Sequence, residues 1–300
     1  MSKAAQLRSL LSGTDFIVAP GVHDAYSARI IEAAGFASAC TSGAVLSQSL
    51  LGLPDLGILS LTENVDHCRR LARLIKIPVT ADADAGYGNP NNVYHTIRSF
   101  EEAGLAGVNL EDQVVPRRWD AKIRGEVVSV AEMVRKVEAA CAARKDADFV
   151  IIVRTDAHTA LGQTQMVERI KSYVAAGADV ILPMGLHSMD DVGYAVDAAG
   201  DVPVSISIGA YWRLDDSSLT ESVAKLRSLG VRRITLPQML AAASVKAMAN
   251  AAIDMRLLSG NDLTGDFPSG MYASAGELME LVDADGAVSL ENHLMHQVAR

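Results

Sequence analysis

Short runs of apolar and β-branched residues alternate along this chain with longer segments whose apolar positions recur every three to four residues. The runs fall at 15–19, 37–42, 77–82, 106–111, 148–154, 178–183, 202–208 and 232–236. Helical spacing predicts helices near 24–34, 61–74, 91–103, 130–144, 165–176, 190–199, 218–229 and 238–257. A repeated phrase marks the joints: Ala33-Ala34-Gly35, Glu102-Ala103-Gly104, Ala175-Ala176-Gly177 and Ser228-Leu229-Gly230 each end an amphipathic segment at glycine just before a β-rich run. Glycine there is the expected helix C-terminal residue with positive φ. Strict alternation of strand and helix implies parallel pairing through right-handed crossovers. Eight such units fit a closed (β/α)8 barrel of the TIM type, a fold of about 250 residues, better than an open doubly wound sheet. No low-complexity linker divides the chain, which predicts one barrel domain over 1–300. The C-terminal part, 239–300, carries further helical runs near 273–282 and 288–299 for packing or subunit exchange, with an exposed loop at 260–270.

Chemistry is expected at the carboxyl ends of barrel strands. The third run ends in Asp82-Ala83-Asp84, followed by the glycine-rich Ala85-Gly86-Tyr87-Gly88. Alternate strand residues point the same way, so both carboxylates are expected to project together. Like charges so placed need a cation or a proton, and hard oxygen donors with room for water suit Mg²⁺ or Mn²⁺. An Asp-rich turn that caps the next helix is the plainer reading of the spacing. The fourth run ends in Glu111-Asp112-Gln113, the fifth in Arg154-Thr155-Asp156 and the second in Cys40-Thr41-Ser42-Gly43. Carboxylates from two successive strands beside an arginine compose a site for a divalent cation plus a substrate carboxylate. Glu111 and Arg154 also have a purely structural reading as a strand-end ion pair. His23, Ser207, Tyr211, Trp212 and Gln238 stand near other strand ends as candidates to shape the substrate pocket.

Composition narrows the class. The 300 residues carry a net charge of −9 without a Lys/Arg cluster, which argues against nucleic acid as a partner. Cys40, Cys68 and Cys141 are few and odd in number, which favours a reducing cytoplasm. The first residues lack a signal-peptide core, and no apolar stretch is long enough to span a membrane.

Four ordered motifs then carry a resemblance: Leu51-Gly52-Leu53-Pro54-Asp55-Leu56-Gly57, Asp82-Ala83-Asp84-Ala85-Gly86-Tyr87-Gly88-Asn89, Leu110-Glu111-Asp112-Gln113 and Arg154-Thr155-Asp156-Ala157. Together they resemble the isocitrate lyase/phosphoenolpyruvate mutase superfamily, closest to its 2-methylisocitrate lyase branch. The resemblance implies a barrel whose eighth helix swaps between subunits and a homotetramer of helix-swapped dimers. It implies that Asp82, Asp84 and Glu111 hold Mg²⁺ and that Asp55 is a further acidic site residue. It also implies that Ser42, Gly43 and Arg154 grip a 2-oxo acid carboxylate; Cys40, Thr41, Asp82, Ser207 and Gln238 are further candidate substrate contacts by their places at the strand ends.

The chain departs from that branch at the loop after Gln113. Where the lyases carry Lys-Arg-Cys-Gly-His, it reads Arg117-Arg118-Trp119-Asp120-Ala121. An indole N–H is no acid or base near neutral pH, which leaves Trp119 as a lid residue and Asp120 as a candidate proton shuttle. The expected function is a Mg²⁺-dependent carbon–carbon lyase or decarboxylase acting on a small 2-oxo or 2-hydroxy di- or tricarboxylic acid, with methylisocitrate itself disfavoured. Two alternatives stay open: a carbon–phosphorus enzyme, suggested by Pro116-Arg117, and a non-catalytic oxo-acid-binding member.

Overall fold

The computed structural model describes residues 1–117, 126–209, 217–258 and 272–298. Its parallel strands are β1 (Ile17–Pro20), β2 (Ala39–Cys40), β3 (Val79–Asp82), β4 (Gly107–Glu111), β5 (Val150–Thr155), β6 (Val180–Pro183), β7 (Ser205–Ser207) and β8 (Arg233–Leu236). Each lies within one of the eight apolar runs or extends it by one residue. Hydrogen-bonded ladders join β2-β3-β4-β5-β6 into one arc and β1-β8-β7 into another. Single parallel bridges, Gly21 to Cys40 and Ile181 to Val204, link the arcs, so every strand has two neighbours and the sheet closes. The open doubly wound sheet is thereby excluded.

The helices in chain order are α1 (Lys3–Ser12), α2 (Ala25–Ala33), α3 (Gly43–Leu46), α4 (Leu61–Leu74), α5 (Pro90–Glu102), α6 (Val130–Ala143) and α7 (Ala157–Leu161). They continue with α8 (Gln163–Ala175), α9 (Met189–Ala199), α10 (Leu219–Ser228), α11 (Met239–Leu257), α12 (Ala275–Leu281) and α13 (Ala284–Val298). Local sequence sets their starts. Ser60 and Glu63 form a reciprocal capping box at α4, and Asn89 caps α5 with Pro90 in its first turn. Among the described residues, α1, α3 and α7 are additional to the expected set. The expected loop at 260–270 lies outside the described residues.

Period-two alternation sorts strand side chains between two cores. Ile151, Val153 and Ile181 face the helices. Ile17, Val150, Ile152, Val180 and Leu182 point into the barrel, where Leu7 and Leu11 of α1 close them off. The polar face of α1 reaches outward: Arg8 pairs with Asp179 at 3.1 Å. The inward register continues upward into Asp82, Glu111 and Arg154, so the same alternation that builds the core aims the charged residues. Glu111 and Arg154 are register partners across β4 and β5. No helix among the described residues is long and apolar enough to cross a membrane.

Leu7 is fully buried at the plug. Leu7→Ala is expected to cost about 2–5 kcal/mol through lost transfer energy and a residual cavity, measured as a lower urea midpoint.

Candidate active site

Asp82 closes β3, and its Oδ2 accepts from the backbone N–H of Gly43 at 2.9 Å. Asp84 is not a continuation of the strand. Its φ of 46° lies in the left-handed region, where Asp and Asn are tolerated better than other side chains, and its N–H donates to Asp82 Oδ1 at 3.2 Å. The two carboxylates therefore converge through a tight turn rather than through the strand alternation expected from spacing. Gly43 leaves little room there: a Cβ would stand 3.2 Å from Asp82 Oδ2 and 3.3 Å from Asp84 Oδ1, so both carboxylates would have to give by a few tenths of an ångström.

Glu111 is 1% exposed. Its Oε2 lies 3.0 Å from Arg154 Nη1 but has no well-aligned hydrogen bond. Arg154 also grips Asp156, Nε to Oδ2 at 2.8 Å and Nη2 to Oδ1 at 2.9 Å. The strand-end ion pair thus exists, and the arginine expected to hold substrate has both edges of its guanidinium engaged by the protein. Asp112 faces the helices, where it accepts from Thr155 Oγ1 (2.7 Å), Asp156 N (2.9 Å), Tyr173 Oη (2.9 Å) and Arg169 Nη1 (3.1 Å). It is a fully satisfied strut behind Arg154.

Arg117 enters the cluster from the loop after β4. Its Nη1 pairs with Asp55, and its Nη2 lies 2.9 Å from Asp84 Oδ1 and 2.6 Å from Glu111 Oε1. Four carboxylates, Asp55, Asp84, Glu111 and Asp156, thus share two guanidinium groups, with Asp82 alongside. Burial, and after it the crowding of acids, shows in the proton affinities of Asp84, Glu111 and Asp55. Burial, then the Asp82 and Glu111 charges, hold the Asp84 carboxyl well above the usual range despite Arg117. Burial pushes Glu111 up to about 7 against the pull of Arg154 and Arg117, and it raises Asp55 against Arg117. Burial weighs against the charge on Arg117, yet Glu111, Asp55 and Asp84 raise its pKa.

Other expected contacts are placed differently. Cys40 is 1% exposed. Its Sγ donates to Ala19 O at 3.4 Å, and burial pushes the thiol up to about 11; it is a packed core cysteine rather than a substrate contact. Thr41 is likewise buried, and its Oγ1 accepts from the Asp82 N–H at 3.2 Å, supporting the carboxylate instead of touching a ligand. The Gly43 N–H is spent on Asp82. Ser42 starts α3 and makes no side-chain cap. Ser207 is half-buried at the end of β7, and Gln238 Oε1 lies 3.6 Å from the position a Cβ on Gly209 would take, beside the same strand end. His23 stands 3.9 Å from Asp24. Trp119, Asp120, Tyr211 and Trp212 lie outside the described residues.

Several supporting residues carry no local sequence signal. Asn64, fully buried on α4, donates to Asp82 O at 2.8 Å and to Tyr87 Oη at 2.8 Å. Lys136 on α6 donates to Ala85 O at 3.1 Å. They fix the two ends of the aspartate turn. Arg233 is fully buried inside the barrel, bonded to Thr80 Oγ1 (2.8 Å) and Ser205 Oγ (3.3 Å).

The donor set of Asp82, Asp84 and Glu111, all hard oxygens short of positive charge, with Oε2 of Glu111 lacking a hydrogen bond, fits a hard divalent cation. Among the described residues, no three His, Cys, Asp or Glu side chains stand as a ready-formed ligand set. The two observations agree for Mg²⁺, which keeps several waters and takes few protein oxygens directly.

The phosphoenolpyruvate phosphomutase family matches residues 7–256. This chain belongs to that family. It is 44% identical over 199 residues to a 2,3-dimethylmalate lyase of Eubacterium barkeri, covering 65% of this chain and 69% of that one. It is 43% identical over 182 residues to a probable 2-methylisocitrate lyase of Corynebacterium glutamicum, covering 61% of this chain and 59% of the relative. An oxaloacetate decarboxylase of Rhodopseudomonas palustris is 36% identical over 200 residues, with 67% and 69% covered. Among solved structures, oxaloacetate acetylhydrolase with 3,3-difluorooxalacetate superposes with a TM-score of 0.87 at 31% identity, covering 98% and 97% of the two chains. Phosphonopyruvate hydrolase with oxalate and Mg²⁺ superposes at 0.84 and 30% identity, covering 97% and 99%. The phosphoenolpyruvate mutase/isocitrate lyase superfamily and its barrel are thus shared by this chain, and family members bind small carboxylates at such barrels.

Gly43→Ala is expected to shift Asp82 and Asp84 by a few tenths of an ångström and to lower kcat by roughly threefold to tenfold, since a misplacement near 1 Å can cost about a hundredfold. Circular dichroism is expected to stay native.

Proposed function

We propose that this chain is a divalent-metal-dependent lyase that breaks a carbon–carbon bond, by retro-aldol cleavage or decarboxylation, in a small 2-oxo or 2-hydroxy di- or tricarboxylic acid. The observation that carries this reading is the buried Asp82–Asp84–Glu111 cluster at the carboxyl ends of β3 and β4. Support comes from relatives whose substrates are dimethylmalate, methylisocitrate and oxaloacetate.

Asp82, Asp84 and Glu111 would hold Mg²⁺, with Mn²⁺ as a substitute. Bound there, the ion supplies positive charge for the oxygen that gains electron density when a bond beside a carbonyl breaks. The Gly43 N–H and Asn64 hold Asp82 in place, and Arg154 holds Glu111. Ser42, at the start of α3, would receive the substrate carboxylate, with Arg154 beside it exchanging part of its grip on Glu111 or Asp156 for that group. Asp55, paired with Arg117 and with a carboxyl raised by burial, would take the hydroxyl proton in retro-aldol cleavage. Decarboxylation asks less of the protein, because departing CO₂ needs no proton and water can quench the carbanion. The Trp119 loop therefore suits decarboxylation or a lyase whose acid is other than cysteine. Ser207 and Gln238 would face the variable end of the substrate.

A carbon–phosphorus reading is favoured by the Pro116-Arg117 element and the superposition on phosphonopyruvate hydrolase; phosphate release from phosphonopyruvate would establish it. The decisive assay screens 2-oxo and 2-hydroxy dicarboxylates for pyruvate or glyoxylate, with and without a chelator. Asp82→Ala is expected to lower kcat by about 10³-fold or more with the fold intact; unchanged turnover removes the metal role.

The same reading extends to assembly. α11 exposes Val245, Met248, Ile253 and Met255, and α13 exposes Val288, Leu290 and Leu294. Helices with this much exposed apolar surface fit exchange between copies of the chain, and 239–300 would serve that exchange. Light scattering is expected to give a tetramer, and Met248→Glu smaller species; a monomeric wild type would exclude the exchange.

A further inference from the structure

We infer that Arg117 is a built-in cation that competes with the divalent metal for the carboxylates of the barrel mouth, so that metal affinity is set by displacement of its guanidinium. This rests on the metal reading proposed above. One guanidinium joins acids from three separate segments: Asp55 ahead of α4, Asp84 after β3 and Glu111 at the end of β4. Two of these are residues that would hold the ion. Asp84 Oδ1 and Glu111 Oε1 already receive Arg117 Nη2 at 2.9 and 2.6 Å, and a lone pair directed at an N–H is not available to a metal.

The placement is built in by the backbone. Arg117 N donates to Leu56 O at 3.3 Å. Val115 lies against Gly57, where a Cβ would come within 2.8 Å of Val115 Cγ1. The segment bearing Asp55 thus docks the segment bearing Arg117. Among the described residues, Arg117 and Arg154 are the guanidinium groups paired with this acid cluster, which leaves it under-neutralised. An incoming dication gains more than the guanidinium gives up, while Asp84 Oδ1 and Glu111 Oε1 must be released before it can take them. Asp55, Asp84 and Glu111 each direct an oxygen at the guanidinium, as this competition requires. Once displaced, Arg117 remains at the mouth as a donor for an anionic substrate group.

The test titrates wild-type protein and Arg117→Met with Mn²⁺ alone, without substrate, following the free-ion signal by electron paramagnetic resonance. Arg117→Met is expected to bind Mn²⁺ at least about tenfold more tightly, equivalent to ~1.4 kcal/mol. Arg117→Lys, which keeps the charge, is expected to stay within about threefold of wild type. Should the methionine variant fail to fold, Arg117→Gln takes its place. Equal or weaker Mn²⁺ binding by the neutral variant overturns the competition and leaves the metal reading standing. Absence of Mn²⁺ binding in both proteins overturns the two together.

Discussion

Asp82, Asp84 and Glu111 press like charges into a space that water scarcely reaches, and much of the surrounding structure answers that repulsion. Gly43 gives up its side chain so that its N–H can approach Asp82. Asp84 accepts a left-handed backbone, a conformation whose cost is of order 1–3 kcal/mol, in order to turn toward its neighbour. Arg154 and Arg117 come from two further segments to share the load. Behind them, Asp112 takes four donors and fixes the Thr155–Asp156 backbone from which Arg154 is braced. A buried charge with one partner removed is far more costly than the intact network, so these residues stand or fall as a set.

That interdependence explains what could be read in the sequence. The barrel was legible because its signals are local: apolar runs, helical spacing between them, and a glycine just after four of the helices (Gly35, Gly104, Gly177 and Gly230). The strand ends followed, and with them Asp82, Glu111 and Arg154. Asp84 was found for a partly mistaken reason, since period two points to it while a turn delivers it. The Glu111–Arg154 pair is the register of β4 on β5, which no single segment reveals. Asn64 and Lys136 were hidden for the same cause, and Arg117 was visible only as part of a loop motif and not as a partner of the acids. Each reaches the site from a helix or loop whose distance in sequence, 18 residues from Asn64 to Asp82 and 51 from Lys136 to Ala85, leaves no periodic trace. Cys40 illustrates the opposite error: a residue type rich in chemistry, at the right strand end, but pointing at a carbonyl in the core.

The family relationship is uneven in what it explains. The family match spans residues 7–256 and so takes in the ends of all eight strands, from Asp82 and Glu111 to Ser207. Relatives with three different substrates share similar identity with this chain. Overall similarity therefore tracks the bond-breaking machinery more closely than the substrate's side chain.

The barrel's hydrogen bonding is itself divided in two. Its sheet is two ladders, five strands and three, stitched by one bridge at each seam. Asp82, Glu111 and Arg154 all ride on the five-strand ladder; Ser207 and the approach to Gln238 ride on the three-strand ladder. Distortion from a new side chain on β7 or β8 reaches the acids only through a single bridge and through side-chain packing, not along a continuous row of amide bonds. The two seams act as expansion joints, across which one side of the barrel mouth can shift while the opposite side keeps its alignment.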